Sequence, residues 1–331
     1  MHIPENYLSP QTCAVMTGAV APAWGISIYK VSKELPKEKI AMMGVAASFS
    51  FLGMMFNVPL PGGTTGHAVG GTLIALLLGP YAACISVSVA LLLQALLFGD
   101  GGILAFGANC FNMAFVLPFV GYAVAHLISP SIGQGKATRR DLTAAAIGSY
   151  VGINAAALCA AIEFGIQPLL FHDAAGNALY CPYGLSVSIP AMMIGHLTIF
   201  GLAEMVFTTA IYSFVSSTSP ALMARQPETK TSLPLKIFLG AMILATPLGL
   251  LAEGTAWGEW GAEEIASTGA GYTPSGLANG WSLNAMLPDY SIAGMPDSIA
   301  YILSAVIGAA LLIIIFKLIS LAVGKASASA A

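Results

Sequence analysis

Residues 68–98 read AVGGTLIALLLGPYAACISVSVALLLQALLF, a stretch without a single charged side chain. It exceeds the roughly 20 residues that an α-helix needs to cross a bilayer. Two readings compete: one long tilted helix, or two short ones broken at Leu78-Gly79-Pro80-Tyr81. Proline lacks the N–H that a helix interior requires, and Gly-Pro is a turn signal. Hydropathy does not choose between them.

The surrounding composition sets the frame. Charged residues are 8% of the 331, hydrophobic residues 57%, and mean hydropathy is +0.81. Soluble proteins carry about 25% charged residues. So few charges cannot cover a water-facing surface of this size, so most of the exterior is expected to face lipid. The fold class is therefore an all-α integral membrane protein, with the lipid bilayer as its first partner. A net charge of −3 leaves no basic stripe to neutralise phosphates, which argues against nucleic acid. The five cysteines, Cys13, Cys84, Cys110, Cys159 and Cys181, are odd in number and widely spaced, unlike a secreted disulfide scaffold. The first Lys is Lys30, behind the first apolar stretch. A cleavable signal needs a positive leading region, so the terminus is expected to be retained.

Charge resolves residues 68–98. All 12 Lys and Arg fall in four groups: Lys30, Lys33, Lys37 and Lys39; Lys136, Arg139 and Arg140; Arg225, Lys230 and Lys236; Lys317 and Lys325. Cytoplasmic loops collect such residues, so all four groups are expected inside. The chain must then cross an even number of times between the first group and the second. That holds only if 68–98 crosses twice. The split reading gives nine spans, roughly 11–31, 39–59, two within 68–98, 103–129, 141–171, 186–216, 235–253 and 298–323. The N-terminus lies outside and the C-terminus inside.

The chain divides accordingly. Residues 1–217 form a seven-span bundle, 218–234 a polar cytoplasmic linker, 235–324 a two-span unit with a long outer loop, and 325–331 a low-complexity, disordered tail. The outer loop, residues 254–296, lacks Lys and Arg. It carries Glu259, Glu263, Glu264 and Asp289 together with Trp257, Trp260 and Trp281, which suits an interface or docking surface. A solvated acidic loop and a cation-gathering one both remain open. No internal repeat is evident, unlike many secondary transporters.

Candidate chemistry sits at the start of the chain. His2 follows the α-amino group of Met1. The amine, the next amide nitrogen and its imidazole can chelate one ion in fused rings. A further nitrogen completes a plane suited to Ni(II) or Cu(II), and nitrogen donors also hold Co(II). His67 lies in Pro59-Leu60-Pro61-Gly62-Gly63-Thr64-Thr65-Gly66-His67-Ala68-Val69-Gly70-Gly71. Irregular backbone at membrane depth survives only inside protein or a wet cavity, so this segment reads as a re-entrant loop from the outer face. His172 and His126 read as solvated or snorkelling side chains. His196 and Glu204 are eight positions apart and share a helical face, where they pair or join a polar network beneath the site. Asn109 and Asn112 suit either orientation of a ligand histidine or helix–helix hydrogen bonding. Small residues spaced at four, such as Ala14 and Gly18 or Gly148, Gly152 and Ala156, permit close helix packing. There is no P-loop, no H-E-x-x-H and no Arg-repeat voltage sensor.

The opening Met1-His2-Ile3-Pro4-Glu5-Asn6-Tyr7-Leu8-Ser9-Pro10, the Gly62–Gly71 loop and Leu97-Phe98-Gly99-Asp100-Gly101-Gly102-Ile103 with Asn109 and Asn112 resemble the CbiM/NikM family. These are the substrate-binding S components of cobalt and nickel energy-coupling-factor transporters, a class of ABC transporter. The resemblance covers the seven spans. Gly254-Thr255-Ala256-Trp257-Gly258-Glu259-Trp260-Gly261 and Pro288-Asp289-Tyr290-Ser291 resemble the small N component, fused as in NikMN-type chains. It implies a prokaryotic plasma-membrane protein that captures Co2+ or Ni2+ outside the cell as substrate. Such import supplies cobalamin biosynthesis or nickel enzymes. A separate transmembrane coupling protein and two cytoplasmic ATPases drive release, so this chain is expected to be no enzyme and to need no cofactor. It further implies that the ion is held by Met1, His2 and His67. Tyr7 is a conservative departure within the opening motif. The alternatives are a stand-alone secondary transporter or channel, for which only Glu163 and Glu204 offer buried carboxylates, and a membrane metalloenzyme, for which no acid/base group is evident.

Overall fold

The computed structural model describes residues 1–60, 63–219 and 232–328. Nine helices of eight residues or more are present among them. They are α1 (Pro10–Glu34), α2 (Lys37–Met55), α3 (Gly71–Leu78), α4 (Pro80–Phe98), α5 (Phe106–Ile128), α6 (Arg139–Leu170), α7 (Leu185–Thr218), α8 (Leu233–Leu251) and α9 (Asp297–Ala328). Between α2 and α3 the backbone forms a small antiparallel hairpin, β1 (Val58–Leu60) and β2 (Thr64–Gly66), with Val58 opposite Gly66. All but α2 and α3 are long and apolar enough to cross a membrane, which makes seven such spans.

The break at Gly79-Pro80 is real. Gly79 takes φ 92°, a left-handed step that an L side chain resists, and Pro80 opens α4 at its first turn. The two pieces are unequal. α3 has eight residues and rises only about 12 Å, so it begins inside the bundle. It still completes a passage. Its last turn and Gly79 share a cavity of about 800 Å³ with Lys30, Leu35, Lys39 and Gly133, at the end of the bundle where α2 begins.

The opposite end gathers the N-terminus and the other set of loops. Gly102 N–H donates to Ile3 O at 2.8 Å, Cys181 N–H to Tyr7 O at 3.0 Å, and Leu287 N–H to Leu97 O at 2.8 Å. The helices alternate between these two ends. Lys30, Lys33, Lys39, Lys136, Arg139, Arg140, Lys236 and Lys317 lie in or beside segments at the end away from Met1. The linker expected at 218–234 falls mostly on residues 220–231, outside the described residues. α9 stays helical to Ala328, into the tail expected to lack structure, and residues 329–331 lie outside the described residues.

Close helix packing follows the small residues on α6. A Cβ on Gly148 would fall 2.5 Å from Gly121 O, and one on Gly152 would fall 2.6 Å from Leu117 O. α5 and α6 therefore touch backbone to backbone. α6 is started by a capping box in which Thr138 Oγ1 accepts from Asp141 N–H and Asp141 Oδ2 accepts from Thr138 N–H. The Ala14–Gly18 face of α1 is different: a Cβ on Gly18 would meet nothing within 4 Å. α9 lies along α2, with Ser48 Oγ donating to Ala309 O at 3.1 Å and Tyr301 Oη to Met55 O at 3.0 Å. The two-span unit is thus docked on the bundle.

Substituting Gly152→Val should overpack this contact and cost about 1–3 kcal/mol. It should appear as a lower thermal midpoint of the detergent-purified protein, while Gly18→Ala leaves the midpoint unchanged.

Candidate metal centre

The chain start is a hook. Pro10 occupies the first turn of α1, and Ser9 caps it by accepting from Thr12 N–H at 3.0 Å. Upstream, Asn6 takes φ 62°, a left-handed conformation that Asn tolerates better than most residues. The chain reverses there and residues 1–3 enter the protein. Met1 is 6% exposed, His2 2% and Ile3 0%. Such buried main chain needs partners. Asn109 supplies them for Ile3: its Oδ1 accepts from Ile3 N–H at 2.8 Å and its Nδ2 donates to Ile3 O at 3.0 Å. The His2 amide donates to no acceptor among the described residues. The Met1 ammonium donates to Glu259 Oε1 at 2.8 Å, a carboxylate from the outer loop.

The His67 loop arrives from the same end. Past β2 the chain turns through Gly70, whose φ of 72° is left-handed, and α3 starts at the next residue. Ser50 Oγ of α2 donates to Val69 O at 2.7 Å. Glu204 of α7 accepts from Val69 N–H at 2.7 Å and from Gly70 N–H at 3.0 Å. His67 Nδ1 lies 3.3 Å from Ala68 O, leaving Nε2 without a hydrogen-bond partner among the described residues.

These two segments bring the imidazoles of His2 and His67 together. Their ring centroids are 5.0 Å apart at an interplanar angle of 70°. Metal–imidazole bonds are about 2.0 Å long, so both rings can reach one ion. His2 Nε2 lies 3.4 Å from Met54 Sδ, and His2 Nδ1 is held by Asp100 Oδ1. Asp100 Oδ2 accepts from Tyr290 Oη at 2.5 Å and from Gln94 Nε2 at 3.1 Å. Asp100 owes its place to a π-helical turn, Gln94–Phe98, and to Gly99 at φ 70°, which fold it back over the end of α4.

Electrostatics favour a neutral imidazole here. Burial, then the neighbouring His2 and the terminal amine, hold the His67 ionisation well below its ordinary 6.5. Burial would raise the Asp100 carboxyl, but His2 and the Tyr290 hydroxyl outweigh it, and the group stays below the usual carboxylate range. No three His, Cys, Asp or Glu side chains converge on a metal position among the described residues.

The remaining candidates separate. His172 is exposed on its loop, with Nδ1 3.2 Å from Asp173 O. His126 stacks on Tyr122 at 4.1 Å beside the cavity at the far end. His196 and Glu204 do not pair. His196 Nδ1 bonds Met192 O of its own helix at 2.8 Å. The reason is the π-helical turn His196–Phe200, which acts as a one-residue insertion and turns the following face by about 100°. Glu204 instead joins the network under the His67 loop. Asn112 Nδ2 donates to Glu163 Oε2 at 2.9 Å, away from the imidazoles. Asn109 orders the main chain of Ile3 rather than an imidazole. Asp100, Glu259, Tyr290 and Met54 were not singled out individually by the sequence, although the Gly-rich turn and the acidic loop that carry three of them were.

Fold and site define a multi-pass α-helical membrane protein with its own N-terminus buried beside a histidine from the loop between α2 and α3; that loop leads on to the opposite end through α3 and does not re-enter. The chain belongs to the CbiM family, the cobalt uptake substrate-specific transmembrane region, whose model matches residues 2–222, and a PDGLE domain matches residues 232–325. It is a member of a metal-transport family. Among curated relatives, the probable fused nickel transport protein LarMN of Lactiplantibacillus plantarum is 48% identical over 96% of this chain and 97% of its own length. The fused nickel transport protein NikMN of Rhodobacter capsulatus is 47% identical over 95% of each. A solved truncated transition metal transporter is 56% identical, with a TM-score of 0.60, over 65% of this chain and 98% of its own.

Asn109→Ala should strand the Ile3 amide, at a cost of about 1–3 kcal/mol. The fraction of chains with a free start should rise about 5- to 150-fold, measured as the rate of aminopeptidase removal of Met1.

Proposed function

We propose that this chain captures a divalent transition-metal ion at the outer face and passes it inward as the substrate-binding subunit of an ATP-driven transporter. The ligands are the Met1 amine, the His2 amide and imidazole, and the His67 imidazole. The observation that carries this reading is the approach of the His2 and His67 rings to 5.0 Å around a main-chain amide that donates to nothing described. The ring nitrogen nearer the main chain, Nδ1, closes a fused chelate with the amide. In the structure it rests on Asp100, and the amine rests on Glu259. A bound ion takes over both positions.

Four nitrogens in a plane suit Ni(II), and the two full-length relatives above are named for nickel transport. Nickel is therefore the favoured cargo, with cobalt as the second ion such a set accepts. The basic end of the bundle is the cytoplasmic one by the positive-inside rule, which puts Met1 and the 254–296 loop outside. Residues 1–217 act as the metal-binding unit and 235–324 as its fused N-component-like cover, since Trp257 N–H donates to Thr64 Oγ1 at 2.8 Å and Tyr7 Oη to Trp260 O at 2.9 Å. The coupling protein and two ATPases of the resembling transporters supply the work. A secondary transporter finds less support, because Glu163 and Glu204 are both engaged with amide donors.

Inserting one residue between Met1 and His2 should abolish high-affinity nickel binding, read by isothermal titration, without loss of expression. His67→Ala should weaken binding less completely, because three donors remain. Unchanged binding by the insertion variant refutes the chelate.

Coordination by the amine and the amide releases a proton from each. Apparent affinity should therefore fall as pH is lowered from 8 to 6. The neutral state of His67 means that this ring contributes little to the slope, so His67→Ala should retain most of it.

A further inference from the structure

Glu204 sits within the apolar helix α7 with no exposed surface. Among the described residues it forms no ion pair. An uncompensated carboxylate at that depth is costly, and such residues persist where they serve a site. Its compensation is made of main-chain amides. Oε2 accepts from Val69 N–H at 2.7 Å and Gly70 N–H at 3.0 Å; Oε1 accepts from Gly70 N–H at 3.1 Å and Thr208 Oγ1 at 3.3 Å.

Those amides stand at the start of α3. Gly70 is its N-cap residue and has no side chain with which to cap it. The carboxylate from α7 does not replace that cap, which would accept from Thr72 or Leu73; it takes the N-cap N–H of Gly70 and the preceding N–H of Val69, near the positive end of the helix dipole. The carbonyl between these amides is also taken, because Ser50 of α2 donates to Val69 O. Residues 69–70 are thereby fixed from two different helices. On the other side of His67, the hairpin fixes Gly66 opposite Val58. His67 and Ala68 span the gap between two anchored points.

We propose that Glu204 is the positioning residue that sets His67 in place for the ion. The proposal deepens the function proposed above and rests on it. Glu204 touches no ligand atom; it acts through the backbone two and three residues beyond the imidazole. A carboxylate serves better than a neutral amide, because both of its oxygens accept and the two N–H groups converge on it. Gln at this position keeps the volume and one acceptor oxygen, but turns donor hydrogens toward the Gly70 N–H, itself a donor.

The test uses the full chain in detergent, titrated with NiCl2 and followed by calorimetry and by the visible absorption of bound Ni(II). The variants are E204Q, H67A, their combination, and the one-residue insertion between Met1 and His2. E204Q should weaken nickel binding about tenfold or more, as changes to groups that orient metal ligands do, with a shifted absorption band. The double variant should bind no more weakly than H67A, because the two act in one chain of contacts. Wild-type affinity and spectrum in E204Q would overturn the proposal. So would an equal loss from E204Q with or without His67, which would make Glu204 a structural cap acting elsewhere. If E204Q does not accumulate, E204D withdraws the carboxylate while keeping its charge, and the same dependence on His67 decides. The insertion variant reads the terminal chelate separately: its binding like wild type refutes that reading, while the His67 dependence still judges Glu204.

Discussion

A charged chain terminus inside a membrane protein is the constraint around which this structure is arranged. An ammonium group and an adjacent imidazole cannot enter an apolar bundle without partners. The partners found here come from every part of the chain. Asp100 reaches His2 from the turn after α4, Asn109 holds Ile3 from α5, and Glu259 meets the Met1 amine from a loop 258 residues away. The first three residues thus tie the two matched regions together. On the proposed function cost and purpose coincide, because the groups that must be ordered to be buried are the proposed ligands.

The second segment obeys the same rule with different means. A loop of Pro, Gly and Thr cannot satisfy its own backbone, and where it is buried, from Thr65 to Gly70 except His67, its polar groups need partners from the protein. The short hairpin pairs Val58–Leu60 with Thr64–Gly66, and α3 takes care of the residues from Gly71 on. Between them lie a few residues whose amides and carbonyls need acceptors and donors from outside. Ser50 and Glu204 are polar side chains within otherwise apolar helices, and both are spent there.

Fold class was legible because lipid leaves a coarse signature: too few charges, and runs of the right length. The nine crossings expected from charge parity rest on a different signal, positive charge marking one face, and seven of the nine helices are long and apolar enough to span. The short α3 was legible from Gly79-Pro80 and the Gly-rich loop before it, not from hydropathy, because a half-helix buried in protein has the hydropathy of one facing lipid. In the site, Met1, His2 and His67 stood out because each is a rare group in a rare place. Their supports did not. Asp100 is recognisable only once the π-helical turn has folded it back, and the same kind of turn breaks the eight-residue spacing that seemed to join His196 to Glu204. Backbone irregularities of one residue rotate everything downstream, and no periodicity argument registers them. Glu259 was visible as part of an acidic loop, but its partner is a chain end that no sequence neighbourhood points to.

Burial of the proposed ligands also bears on why such a protein would need a driven partner. A site that holds an ion by four nitrogens, two of them from the main chain, gains affinity from fixed geometry and loses speed of release by the same geometry. The two buried carboxylates of these helices are each engaged, Glu204 by the loop and one oxygen of Glu163 by Asn112. On the proposed function, release requires the hook or the His67 loop to move, and both are anchored by hydrogen bonds at several points. Work applied to the bundle from its basic end can reach those anchors through α3, which is short, runs from the site to that end, and is pinned at its start by the residues that pin His67.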